Sequence, residues 1–404
     1  MRTYLMLLRL PGAAGFVTAG FVARLPIAMR SVGCILMVSA LTGSFALAGA
    51  VAAVLVLAQA AVAPAVGRLV DRDGQAKVIW VAIGINTLGT VALAVLAVHA
   101  PVWTLFPAAV VAGVSALPIG SLARARWSAV AAGSPLLSSA YALEGVLDEV
   151  IYIAGPILVT ALAVGVSPVA GVLGALVLYV LGGAFLAAQR GTEPVIHELR
   201  QDGGKGSIGS SGLFILLFVY LVAGVFFGSF DVALIAFAKE NGAYGSAGLL
   251  LGLLATGSLC SGLVFGIVNW RVGPERRLLF ATMGLAVGTI PLIFADSVLV
   301  MAGLTVIAGL AVSPILITAN SLVEVLVPRR SLTEGFAWLS SAITLGMALG
   351  SAAGGGLVDV GGSAAALLLG VSSAAVAFLT TLAGLGPLGR RSPEGAEPGA
   401  VVAH

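Results

Sequence analysis

Glu144, Asp148 and Glu149 crowd into one stretch that is otherwise apolar, and Tyr141, Glu144, Asp148 and Tyr152 follow one another at i, i+3, i+7 and i+11. On a helix that spacing sets four polar side chains along a single stripe. A charge held at the centre of a membrane helix costs about 2.5–3.5 kcal/mol on insertion scales, which makes such residues functional candidates by default. Arg24, in the first apolar run, counts to a similar depth, so an ion pair with Asp148 and Glu149 is expected. Two readings of it stay open. In one, Arg24 keeps one carboxylate ionised while a neighbour, desolvated and repelled by like charge, carries a proton. In the other, a static buried salt bridge holds two helices in register.

Asp231, beside Phe226, Phe227 and Phe230, is a candidate for a central cavity, where aromatic faces next to an acid suit a cationic or hydroxylated ligand. Core or lipid packing is the commoner use of such a run. Asn320 and Glu324 stand one turn apart; Asn320 joins Tyr141, Tyr152 and Asp231 as a cavity candidate, and Glu324 is expected to pair with Arg329 or Arg330 near the headgroups. The two cysteines, Cys34 and Cys260, sit in separate apolar runs and read as buried filler rather than a disulfide or thiolate site. His99, His197 and His404 are too scattered for a metal site.

The elements that must position these residues are set by composition. The 404-residue chain is 59% hydrophobic and 9% charged, with a mean hydropathy of +1.12, which excludes a soluble globular domain. Its apolar residues come in long unbroken runs rather than alternating, so the spans are helices and not a barrel. Spans of about twenty residues fit at 11–36, 44–66, 78–98, 102–123, 138–164 and 168–188, then at 213–238, 245–268, 278–295, 298–326, 334–358 and 363–386. The expected fold is an all-α membrane protein of twelve spans in two six-helix bundles: 1–188 and 213–388, joined by a polar linker at 189–212 and followed by a disordered tail at 389–404. The amino-terminal run has no small-residue cleavage site and reads as an uncleaved first helix.

Twelve spans put both ends and the linker on one side. Of the 20 Lys and Arg residues, all but Arg24, Arg30 and Lys239 then fall on that side, which the positive-inside rule makes cytoplasmic. The net charge of +3 therefore reports orientation in an inner membrane and not nucleic-acid binding, because no basic stripe with interleaved aromatics exists. Arginine outnumbers lysine in a chain rich in Ala, Gly and Val, a composition of GC-rich bacterial genomes. Gly204-x-Gly206-x-x-Gly209 has no strand before it and reads as chance.

The stretch Gly67-x-Leu69-x-Asp71-Arg72-x-Gly74-x-x-Lys77 returns 199 residues later as Gly266 to Gly273, with Arg271 kept and Trp270 in place of the acid. The repeat implies two parallel halves, and the first copy resembles the helix 2–3 signature of the major facilitator superfamily. That resemblance implies alternating-access transport of a small molecule between two six-helix bundles, driven by an ion gradient, without cofactor, metal or catalytic residue. It also implies a latch in which Asp71 and Arg72 hold the halves together in the outward-facing state. The family usually carries basic residues where Gln75 and Ala76 stand, and Trp270 breaks the second copy, so latching should be asymmetric. Gly155-Pro156 resembles the antiporter motif of the family's drug exporters and implies export. The family's helix 4 arginine has no counterpart at Ala109, a place Arg24 is expected to fill.

A monomer working in the bilayer, coupled to protons through Arg24, Glu144, Asp148 and Glu149, is therefore expected to move an amphipathic compound or metabolite outward. An importer of a sugar-like nutrient on the same fold is the first rival, and a membrane enzyme using the helix 5 acids the second. Short loops and the lack of a nucleophile-base-orienter set weigh against an enzyme, and a missing Walker sequence against an ATP-driven permease.

Overall fold

Each apolar run folds as a helix because lipid cannot satisfy backbone amides and carbonyls, so the chain must satisfy them within each span. A computed structural model describes residues 6–131, 136–194, 211–268, 270–327 and 332–389. The spans are α1 (Ala13–Thr42), α2 (Phe45–Asp73), α3 (Gln75–His99), α4 (Val102–Val130, counting an opening turn), α5 (Leu137–Gly165), α6 (Ala170–Ala188), α7 (Ser211–Glu240), α8 (Ala247–Ile267), α9 (Pro274–Thr289) and α10 (Val298–Leu326, in two pieces). The last helical run, Leu332–Ala383, is too long for one crossing and breaks at Gly361 and Gly362, where φ turns positive at 70°. It is therefore two spans, α11 (332–360) and α12 (363–383), and only glycine enters that corner without strain. Among the described residues twelve spans result, so the first and last spans open onto one face, here the terminal face; the opposite one is the far face.

The fourth span departs from its expected end at residue 123. Its first helix stops at Val114 and a second runs from Ile119 to Val130. Pro118 has no N–H and disfavours helical backbone before it, which accounts for the break. Carbonyls and hydroxyls freed inside the membrane need other partners. Asn86 supplies its amide to Ala112 O and Ser115 Oγ, both at 3.0 Å, and the Tyr179 hydroxyl donates to Ser115 O at 2.9 Å. The second piece carries Arg124, Arg126 and Trp127 as helix residues instead of leaving the two arginines in a loop.

The linker likewise starts later than expected. Arg190–Thr192 form a turn bound to the first half, because buried Arg126 donates to Gln189 O, Thr192 Oγ1 and Leu186 O at 2.9–3.0 Å. Residues 195–210 and the tail from 390 lie outside the described residues, as do Arg329 and Arg330, the expected partners of Glu324. Cys34 is buried as expected, but Cys260 is exposed on α8.

Glycine sets how the helices approach. A Cβ on Gly346, Gly350 or Gly354 of α11 would run into the backbone of α7 near Leu221, Val225 and Ser229. The Gly346-x-x-x-Gly350-x-x-x-Gly354 stripe is thus a packing seam within the second half. The halves meet instead where Gly49 of α2 abuts Ser351 of α11, where Phe45 abuts Gly355, and where Gly248 of α8 abuts Pro156 of α5.

At the far face these contacts are bolted. Asp359, at the end of α11, accepts from Ser44 Oγ at 2.6 Å, Phe45 N at 2.7 Å and Ala46 N at 3.0 Å. One half thereby caps the first helical turn of α2 in the other, an anion placed where the helix dipole and free amides favour it. The Ser39 and Tyr244 hydroxyls, 3.2 Å apart, add a second tie. Toward the terminal face, Gly67 on α2 and Gly145 on α5 have open space where a Cβ would point. The two halves are thus tied to each other at the far face.

Asp359→Ala should weaken that closure by about 1 kcal/mol, the worth of a helix cap, which shifts the open-to-closed ratio roughly fivefold. The expected readout is faster labelling of Ala236→Cys, buried in the far-face cleft, by a membrane-impermeant maleimide in a Cys34→Ala/Cys260→Ala background. An unchanged labelling rate would show that the cap does not hold the face shut.

Candidate functional site

Arg24 sits midway along α1 and is 1% exposed; facing it, one turn apart on α5, are Glu144, fully buried, and Asp148, 31% exposed. Its guanidinium donates to Glu144 Oε2, to Asp148 Oδ1 at 2.9 Å and to Gly20 O at 3.2 Å. Two further donors come from the second piece of α4. Trp127 Nε1 donates to Glu144 Oε1 at 2.7 Å, and Arg124 Nη2 donates to Asp148 Oδ2 at 2.8 Å. Two carboxylates and two guanidiniums thus form a closed, neutral network, with the Trp127 ring held edge-on against Phe16 at 4.8 Å. A fully hydrogen-bonded buried ion pair rigidifies its surroundings, whereas half of one would be costly.

The network forms one wall of a cavity of about 210 Å³ lined by Arg24, Ile27, Arg124, Asp148, Ile151 and Tyr152 among others. The expected stripe on α5 is therefore real, but it changes depth along its length. Tyr141 ties α5 to α4 through Ser128 Oγ at 2.7 Å, Glu144 is inside the first half, Asp148 reaches the cavity, and Tyr152 is 51% exposed at its edge.

Glu149 corrects the expected pairing. One residue on from Asp148, it turns about 100° around the helix and faces the Ser313 hydroxyl of α10, which is 2.9 Å from that of Ser258 on α8. Asp231 of α7 is half-buried, and Tyr152 stands in the field of Asp148, Glu149 and Asp231 together. Two of the three aromatic neighbours of Asp231 do not accompany it. Phe226 and Phe230 stack at 4.9 Å and are buried against Gly370 of α12, so they are core. Asn320 is exposed and spends its amide on Leu316 O of its own helix, at 2.8 Å.

The signature at the terminal face is a single-residue corner. Gly74, with φ 86° and ψ 155°, alone separates α2 from α3. The Asp71 side chain lies outside the described residues. Arg72 is exposed and bonds neighbouring Asp73 at 3.1 and 3.2 Å, not the other half, so no latch is engaged at Arg72 in this structure. That bond holds the Asp73 carboxyl below the usual range, with Lys77 adding to it from 3.8 Å. Gln75 is no idle departure from the pattern. It is buried, accepts from Arg126 Nε at 2.8 Å and donates to Leu122 O, while Glu193 accepts from Ala76 N at 2.9 Å. In the second copy Arg271 is exposed. Gly273 caps α9, where a Cβ would meet the Glu275 carboxylate, and Trp270 packs against Phe265 at a tilt, 4.5 Å between centroids, beneath Arg277.

Arg124, Trp127 and Arg126 were not expected here. The signal for them is Pro118 followed by an amphipathic turn in which Arg124 and Trp127 share a face at i and i+3.

The model of the Major Facilitator Superfamily matches residues 216–402. No curated protein matches the sequence significantly. Among solved structures, the chain is similar to the nucleoside transporter NupG, with 13% identity, a TM-score of 0.73 and 93% of this chain covering all of that one. It is similar also to a bacterial homologue of the iron transporter ferroportin in an inward-facing state, with 16% identity, a TM-score of 0.67, and 93% and 99% of the two chains covered. For the peptide transporter POT the identity is 14% and the TM-score 0.69, with 93% and 94% covered. The likeness is one of fold, and it runs through both halves. Joined to the family match over the second half and to the repeated corner between helices, it shows the all-α membrane fold of the major facilitator superfamily through both halves.

Proposed function

We propose that this protein is a proton-coupled small-molecule transporter that exports an amphipathic compound or metabolite by alternating access, as a monomer in a bacterial inner membrane with its terminal face in the cytoplasm. The observation that carries the reading is the division of its membrane carboxylates into two kinds. Glu144 and Asp148 each have guanidinium partners and act as a fixed frame. Among the described residues Glu149 and Asp231 have no ion pair, and both lie where the halves face each other. A carboxylate in a low-dielectric wall without a cation is the kind that neutralises by taking up a proton. Protonating Glu149 removes a charge from the surface that α5 turns toward Ser313 and Ser258 of the other half, which favours closing the terminal face.

Export is supported by Gly155-Pro156. Proline at 156 cannot donate to the Tyr152 carbonyl, so α5 is weakened beside the cavity, where the Pro156 carbonyl packs against Gly248. A bend there moves one half against the other.

The test uses proteoliposomes under an imposed pH gradient, with a substrate chosen by thermal-shift screening. Glu149→Gln is expected to lose uphill accumulation almost entirely while keeping substrate exchange at zero gradient, and Asp148→Asn to lose both. Uphill accumulation at wild-type level in Glu149→Gln would remove Glu149 as the proton site.

A further inference from the structure

Arg30 lies on α1 six residues beyond Arg24, toward the far face, and among the described residues no carboxylate answers it. Its side chain is 8% exposed. Nη2 donates to Gln59 Oε1 of α2 at 3.1 Å, while Nε and Nη1 have no partner among the described residues. Tyr179 of α6 stands beside it, but the Tyr179 hydroxyl hydrogen is committed to Ser115 O. The polar groups that continue from there, Ser115 and Asn86, are neutral and bonded to each other. The membrane carboxylates are elsewhere: Glu144 and Asp148 on Arg24 and Arg124, Glu149 toward Ser313, and Asp231 near Tyr152.

A buried cation without a counter-ion destabilises a fold strongly, and replacing it by a methionine would be easy for evolution. The contrast with Arg24 is informative, since there the same chain supplies two acids for one guanidinium. Arginine is also the side chain whose planar fork matches carboxylate and phosphate oxygens. Gln59, its one bonded partner among the described residues, is half-buried, so the pair reaches partly exposed surface. We propose that Arg30, with Gln59, binds an anionic group, a carboxylate or phosphate, carried by the transported molecule. The inference rests on the transport reading above and narrows its substrate to organic anions.

The experiment measures the unfolding midpoint of the purified full-length protein in detergent during titration with sodium benzoate and phenyl phosphate, against inorganic phosphate and chloride at matched ionic strength. Benzoate or phenyl phosphate is expected to raise the midpoint saturably in the wild type and more weakly in Arg30→Lys. Arg30→Met should unfold at a higher temperature than the ligand-free wild type, because it removes an unpaired charge, and should not respond to any anion. No saturable response in the wild type, or one that survives in Arg30→Met, would overturn the site. A less stable Arg30→Met would show a structural role instead, and a response confined to chloride or inorganic phosphate a resident counter-ion. The readout is binding without flux. An anion site on a chain that moves nothing in vesicles would defeat the transport reading alone, and flux without such a site would defeat this inference alone.

Discussion

Arg24→Met should be among the most damaging single substitutions in the protein, lowering stability by about 3–5 kcal/mol, because it strands a buried carboxylate. Glu144 has no exposed surface and would keep only the Trp127 indole as a donor. Asp148 would suffer less, since Arg124 still answers its other oxygen and the cavity wets it. The asymmetry makes the effect testable by a double-mutant cycle. Arg24→Met with Glu144→Met removes one charge of each sign and leaves the Arg124–Asp148 pair intact, so the double variant should regain most of the unfolding temperature that Arg24→Met loses. If it is no more stable than Arg24→Met alone, the pair is not what the network protects, and the polar track on α5 needs another explanation. Function should separate from stability in the same series, because the frame that positions Glu149 is gone even where the fold is restored.

The twelve spans were legible because apolar run length is a direct consequence of bilayer thickness, and the expected boundaries agree with the structure to within a few residues for most spans. What escaped was set by partners and not by periodicity. Arg124 and Arg126 look like loop charges in a count of basic residues, and only the break at Pro118 reveals that the helix resumes and carries them inward. Gln75 looked like a defect in a borrowed pattern, yet a neutral amide is what a buried arginine at 126 requires. Asp148 and Glu149 are adjacent in sequence and so were paired with Arg24 together, although successive helix residues point about 100° apart and only one of them could meet it. Arg30 was left over from the orientation count, where a buried charge without a neighbour in sequence carries no label. A one-dimensional pattern tells which face of a helix is small or polar, but not which helix comes to lie against it.

That limit bears directly on Gly346, whose stripe fits either a sliding surface between halves or a fixed seam. The structure puts it against α7, with Gly224 and Gly228 recessed in turn beneath Ile343 O and Met347 O of α11. Helices in lipid gain no hydrophobic advantage from meeting, so close backbone approach through small residues supplies the attraction. A side chain at 346 would meet the Leu221 carbonyl and the Gly224 backbone, neither of which can swing aside as a flexible side chain would, and relief requires the whole helix to move. Gly346→Val should therefore destabilise by about 3 kcal/mol or more, the upper range for overpacking. Gly356→Ala on the same helix, where a Cβ meets open space, should be close to neutral and even gain a little from lower chain entropy. Thermal unfolding of the two variants in one detergent decides between seam and sliding surface. A wild-type midpoint in Gly346→Val would mean that α11 leaves α7 readily. The expected large loss would mean instead that α7 and α11 move as one piece, and that motion between the halves is confined to the opposite face of α11, where Ser351 and Gly355 meet α2.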